Sequence, residues 1–282
     1  MSTLQINLPQ LANNPAARNI NFTPDKLGSL LAINLDSGRL LQTTTRPSPT
    51  TLVASNLGGL APVAARSLSQ YNISYMPTVR PNALGTTPGI SNPSTSAVDS
   101  NFVCLQSPVN IPALNFDYNT PFTICGAGIW RNAANLAGIV GVWDNPGFTG
   151  KGWLLNHFTG KLSFWLVGDY NANYRWFVTS SVTLNDGDLY TYQISYDGSG
   201  ACNASTFSVT INGAVDGAVN FNTANGLDAG HSAVSTGLFS TPCSAFNSVN
   251  QDEFLGFYAA TAKLTGALAA GSLGYLARRF HV

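Results

Sequence analysis

From about residue 97 onward the chain is a succession of short aromatic and β-branched runs cut by Gly, Asn and Asp, and this rhythm restricts the possible folds more than any other feature. The runs are FTICGAGIW, AGIVGVW, GWLLNHF, KLSFWLVG, YRWFVTSSVTL, LYTYQISYDG, TFSVTING, VSTGLFS and DEFLGFYAATA. Each has the composition that packs well on a pleated surface. Asp-Gly at 197 and 216, Asn-Gly at 212 and 225, and Thr-Gly-Lys at 159 to 161 are turn chemistry, because Gly and Asn accept positive φ at little cost. Many strands, regular turns and one candidate helix predict an all-β antiparallel sandwich.

Period two then assigns faces. In TFSVTING, Phe207, Val209 and Ile211 point inward while Ser208 and Thr210 point out. In KLSFWLVG both sets are apolar, Leu162, Phe164 and Leu166 on one face and Trp165 and Val167 with Ser163 on the other. Such a strand is covered by the opposing sheet on one side and by a loop or neighbouring chain on the other.

Charge narrows the partners. Only 9% of residues are charged, against about 25% in an average domain, and thirteen basic residues balance thirteen acidic ones without a run of either sign. That pattern argues against nucleic acid and anionic lipid. No stretch is long and apolar enough to predict a membrane helix, and the N-terminal residues lack a secretory pattern. Cys104, Cys125, Cys202 and Cys243 are widely spaced and read as free thiols, with a disulfide between two of them as the alternative.

Residues 1–96 have a different texture. From 42 to 96 the chain is rich in Pro, Thr, Ser, Asn and Gly, and proline favours extended conformations in itself and in the residue before it. Apolar patches such as LVASNLGGLAPVAA suit an arm lying on another surface. We therefore divide the chain into an extended N-terminal anchoring arm, 1–96, and a sandwich domain, 97–282. LGSLLAINLDSGRLLQ reads as a short helix or a hairpin turning at Asp36 to Gly38, and GALAAGSLGYLARRF as a short helix over one sheet edge.

The ordered set FTICGAGIW, GWLLNHFTGKLSFWLVG, LYTYQISYDG, TFSVTINGAVDG and QDEFLGFYAATAKLTGAL resembles the concanavalin A-like sandwich, in its laminin G-like and pentraxin-like branch. The resemblance covers about residues 97 to 282 and implies a two-sheet jelly roll whose loops or concave face bind glycans. The chain departs from the family where Tyr190 to Tyr192 replace a Trp-His pair and where Asn250 and Gln251 replace a glycine before the closing Asp-Glu. The resemblance raises calcium as an option. Asp144, Asp169, Asp186 and Asp188 nevertheless lack a ligand spacing, so no cofactor is expected.

Glu253 is the only glutamate in the chain, and its neighbour Asp252 points to the opposite face of any strand. A retaining glycosidase needs two carboxyl groups about 5 Å apart. We therefore assign Asp252 and Glu253 structural roles and expect no catalytic residues. His157, His231 and His281 lie in unrelated contexts, and no Gly-x-Ser-x-Gly occurs.

Sugars are recognised by aromatic faces with planar polar groups. VWDNPGFTGKGW and GDYNANYRWF supply both, nominating Trp143, Asp144, Trp153, Tyr170, Asn171, Asn173, Tyr174, Arg175 and Trp176 for a glycan site. Tyr170 and Tyr174 lead, because DYNAN is too polar to be buried; the tryptophans also read as core or inter-subunit contacts. The uncharged polar composition, the arm and the lectin-like domain together suggest a homo-oligomeric virus-particle protein, such as a bacteriophage capsid-decoration, fibre or tail component. Its expected partners are other virion subunits and a cell-surface glycan. A free lectin module and a glycan-degrading hydrolase are the alternatives.

Overall fold

The alternating runs form two antiparallel sheets in a computed structural model that describes residues 22–43, 51–70, 78–85, 87–91, 105–131, 136–144, 150–241 and 253–280. Strands are numbered in chain order. The smaller sheet holds β1 (Leu31–Asp36), β5 (Thr78–Leu84), β6 (Thr87–Ser91), β8 (Phe122–Ile129), β13 (Leu189–Tyr196), β14 (Phe207–Ile211), β15 (Ala214–Val215) and β18 (Glu253–Ala260). Its order is β15-β14-β13-β8-β18-β6-β5, and β1 also pairs with β18. The larger sheet holds β2 (Leu40–Thr43), β3 (Thr51–Ser55), β4 (Ser67–Gln70), β7 (Leu105–Gln106), β9 (Leu136–Trp143), β10 (Gly152–Phe158), β11 (Lys161–Asp169), β12 (Tyr174–Thr179), β16 (Asn220–Thr223) and β17 (Leu238–Thr241). Its order is β16-β12-β11-β10-β9-β17-β7-β4-β3-β2. The expected all-β two-sheet sandwich is what the chain forms.

The alternation places the core. Leu162, Phe164 and Leu166 of β11 meet Phe207, Val209 and Ile211 of β14 between the sheets. Trp153 stands among Phe116, Phe164 and Phe257 at ring-centroid distances of 5.1, 6.1 and 6.2 Å. The opposite face of β11 is also closed. There Trp165 and Val167 join Trp143 and Leu154 in a second apolar cluster on the outside of the larger sheet, with Trp165 stacked on Phe177 at 4.1 Å.

Tyr190 and Tyr192 explain two glycines. They pair across β13 and β8 with Gly128 and Gly126, and their rings lie over those positions. A Cβ on Gly128 would stand 2.6 Å from the Tyr190 oxygen, and one on Gly126 would overlap the Tyr192 hydroxyl.

The turn signals hold where they were read. Thr159 and Gly160 between β10 and β11, and Asn212 and Gly213 between β14 and β15, all have positive φ. Gly198 and Gly226 do as well, whereas Gly217 turns without positive φ.

The C-terminal helix α1 (Gly266–Phe280) buries Ser272, Leu276 and Phe280, which recur every four residues along one face. That face packs on Cys125, Ala127, Leu255 and Tyr258, so the helix covers the outer face of the smaller sheet and not its edge. Arg279 fixes the last turn. Its Nε and Nη2 donate to the two carboxylate oxygens of Asp36 at 2.9 and 2.8 Å, a bidentate pair.

The described part of the N-terminal region is a series of short strands broken by 3-10 turns at Pro24–Leu30, Ser37–Arg39 and Val63–Arg66, and it runs along this chain's own sandwich. β3 and β4 join the larger sheet, and β5 and β6 the smaller. LGSLLAINLDSGRLLQ is neither one helix nor a hairpin. β1 enters the smaller sheet and, after a turn at Ser37–Arg39, β2 enters the larger one. Pro81 lies in the edge strand β5, where the register with β6 is irregular between Arg80 and Leu84, a place that tolerates a missing N–H.

Candidate functional site

Strand register gathers three loops at one end of the larger sheet. Gly152 of β10 pairs with both Val167 of β11 and Trp143 of β9, so the 144–151 and 169–174 connections leave from the same end. Leu238 of β17 also pairs with Trp143, and Thr223 of β16 with Trp176, which brings in the 224–237 connection. The two stretches nominated from the sequence thus share one end. The third, with Asp228 and His231, carries no sequence signal because its position depends on distant hydrogen bonds.

Those bonds are specific. Asp117, buried between the sheets' connections, accepts from the Ser232 hydroxyl at 2.5 Å and the Ala233 N–H at 2.9 Å. Asn110 Nδ2 donates to the Gly237 carbonyl at 2.7 Å. The loop then docks on the β11–β12 hairpin. The Asn225 N–H donates to the Asn173 carbonyl at 2.9 Å, and Asn225 Nδ2 to the Ala172 carbonyl at 2.7 Å. Asn173 itself takes the left-handed conformation, φ 63°, that asparagine tolerates.

Two stacked pairs define the surface. The Tyr174 ring lies flat on His231, centroids 3.2 Å apart, and His231 Nδ1 donates to Asp228 Oδ1 at 2.9 Å. A carboxylate only accepts, so the Nδ1 proton is set by this contact. The hydrogen bond from His231 holds the Asp228 carboxyl below its ordinary range. On the outer side of the sheet, the Arg175 guanidinium sits 4.1 Å over Tyr170 and 5.0 Å over Phe177, while its Nη1 donates to the Tyr170 carbonyl at 3.0 Å. Asn171 and Asn173 are exposed between the two pairs, and Asp144 is exposed on the neighbouring loop, where it accepts the Lys151 N–H at 2.8 Å.

The nominated set therefore divides. Tyr170, Asn171, Asn173, Tyr174, Arg175 and Asp144 lie at this end. Trp153 and Trp176 do not reach it: they stand on the inward-facing positions of β10 and β12, and Trp153, with no exposed area, donates its indole N–H to the Leu114 carbonyl at 2.6 Å. Trp143 belongs to the buried outer-face cluster. Aromatic content nominated these two stretches, and alternation turns their tryptophans away from this end.

Glu253 is buried, and its Oε1 accepts from Arg131 Nε and Nη2 at 3.0 and 2.5 Å. Asp252 lies outside the described residues. Loss of one charged partner from a largely buried pair destabilises, so Glu253→Gln is expected to lower stability by about 2 kcal/mol, read as a urea midpoint, and to leave ligand binding intact. Loss of a hydrolytic activity in that variant, with folding unchanged, would make Glu253 a catalytic acid instead.

Other reactive groups are held in packing. His157 stacks on Trp130 at 3.3 Å inside the sandwich. Cys125 and Cys202 are free, and burial pushes each thiol up to about 12, far from the thiolate a nucleophile requires. Cys104, Cys243 and His281 lie outside the described residues. Among the described residues no group of three or more His, Cys, Asp or Glu comes together to hold a metal ion, and no helix is long and apolar enough to cross a membrane. A separate groove of about 330 Å³ opens between the sheet edges at Phe207, Val209, Phe221, Asp216 and Lys263. Its charged groups are committed, Asp216 to Ser180 and Ser181, and Lys263 to the Thr206 carbonyl.

No family model matches the sequence, and no curated protein matches it. Solved structures do. The chain is similar to the binding domain of Paraclostridial Mosquitocidal Protein 1, with a TM-score of 0.54 at 11% identity over 89% of this chain and 53% of that one. It is similar to a Trypanosoma rangeli sialidase in complex with sialic acid, with a TM-score of 0.51 at 10% identity over 88% of this chain and 33% of that one. A third match, the binding domain of botulinum neurotoxin serotype C1, has a TM-score of 0.47 at 11% identity over 88% of this chain and 52% of that one. The chain spans about half the length of the binding domains it matches, 53% and 52%. At these identities the first two matches show a likeness of fold alone.

Proposed function

We propose that this chain is a non-enzymatic adhesive protein that binds a glycan at the loop end of its larger sheet. The observation that carries the reading is the pairing of Tyr174 on His231 beside exposed Asn171, Asn173 and Asp228, which gives a fixed aromatic group next to planar donors and acceptors. A mosquitocidal protein's binding domain shares the fold, which supports adhesion as its use. We further propose that the chain is a homo-oligomeric component of a virus particle, a phage capsid-decoration, fibre or tail protein presenting this end outward. The sparse charge, the extended N-terminal region and the lectin-like sandwich support that placement.

Titration of the full chain against an oligosaccharide panel tests the adhesive reading. Tyr174→Ala is expected to weaken the best ligand by about 10-fold or more, as loss of one stacked contact and its ordered loop implies, with the melting temperature nearly unchanged. Binding that ignores Tyr174, Asn171 and Asn173 together would move the site elsewhere. Immunogold labelling of purified particles tests the virion placement. The sialidase likeness supports a second reading, a glycan hydrolase; sugar released from the bound panel members on prolonged incubation would establish it in place of adhesion.

A further inference from the structure

We infer that the ligand of this end carries a carboxylate, and that Arg175 is the group that selects it; the inference rests on the glycan reading above. Arg175 is a cation prepared for an anion that the protein does not itself supply. It is half-buried, its plane is held over Tyr170 and Phe177, and one N–H is tethered to the Tyr170 carbonyl. Ion pairs elsewhere join Arg131 to Glu253, Lys263 to Asp197 and Arg279 to Asp36, whereas among the described residues Arg175 takes part in none.

The acids at the same end are already engaged. Asp169 Oδ1 accepts the Ala172 N–H at 2.9 Å, Asp144 Oδ1 the Lys151 N–H at 2.8 Å, and Asp228 pairs with His231. Lys151 is exposed on a flexible stem, a point charge without fixed direction. Arg175 differs in geometry. Stacking has already removed much of the freedom a guanidinium loses on binding, and the planar fork with four N–H bonds still available matches a carboxylate's two oxygens. A neutral sugar cannot use that match; a sugar acid can.

The test uses the full chain and matched oligosaccharide pairs that differ only in one group: a terminal glucuronic acid against its carboxyl-reduced glucose counterpart, and a terminal sialic acid against its carboxyl-reduced counterpart. Calorimetry is expected to show the carboxylated member of at least one pair bound about 10- to 100-fold more tightly, as a charge-assisted bidentate contact allows. Which pair responds identifies the class of sugar acid. In Arg175→Gln the preference should disappear, acid and reduced members binding alike, and Arg175→Lys should recover only part of it. The preference in the unsubstituted chain is itself a test that needs no variant to fold. Equal binding of acid and reduced members would overturn the inference and leave the glycan reading standing. No binding to any member of a wider neutral and acidic panel would remove both.

Discussion

A chain lacking residues 1–96 is expected to lose cooperative unfolding altogether. β1 pairs with β18 from Leu31↔Ala260 to Asp36↔Gly256, and Ile90 of β6 pairs with Phe254 of the same strand. One whole side of β18 is therefore hydrogen-bonded to the segment removed. Leu31, Ile33, Leu35, Leu68 and Ile90 leave with it, each fully or almost fully buried. Burial of an aliphatic side chain contributes about 1.5–3 kcal/mol, so the five together are worth on the order of 10 kcal/mol, comparable to the whole stability of a domain, about 5–15 kcal/mol. Far-UV circular dichroism through a urea titration decides the matter. A truncated chain with a sharp midpoint near that of the full one would restore residues 97–282 as an independent domain.

The second large effect is expected at Trp153. Truncating a buried tryptophan to alanine costs about 3–5 kcal/mol, and here the void would open among Phe116, Phe164 and Phe257. Trp153→Phe should be milder, retaining most of the ring contact while stripping the Leu114 carbonyl of its donor, a loss of about 1–3 kcal/mol. Urea midpoints of the two variants, with glycan titration alongside, separate stability from recognition. Weakened binding by Trp153→Ala at an unchanged midpoint would bring this residue back to the ligand.

The contrast shows what the chain discloses by itself. Strand alternation sufficed for Phe207, Val209 and Ile211, and for the two buried faces of β11, because period two is local. The turns at 159–160 and 212–213 were equally legible, since they need particular residues. β6 was not, because its partner β18 lies more than 160 residues away, and Pro81 and Pro88 read as breakers in the β5–β6 pair. The site behaves in the same way. DYNAN announced an exposed segment, whereas the Tyr174–His231 stack exists only because Asp117 and Asn110 hold a remote loop beside it. The tryptophans misdirected the reading for a simple reason: an aromatic residue looks the same in sequence whether its strand turns it toward solvent or toward the opposing sheet.

The position of β18, between β8 and β6 in the smaller sheet, governs how the molecule is made. Its last residue is Ala260, so while the ribosome is still adding the preceding residues the inner edges of β1, β6 and β8 have nothing to join. Closure waits until β18 itself has been made. During that interval several apolar ribbons stand open at once, a state that favours association between nascent chains. Slow growth temperature or chaperone supply should therefore govern the soluble yield more strongly than any change to the finished surface.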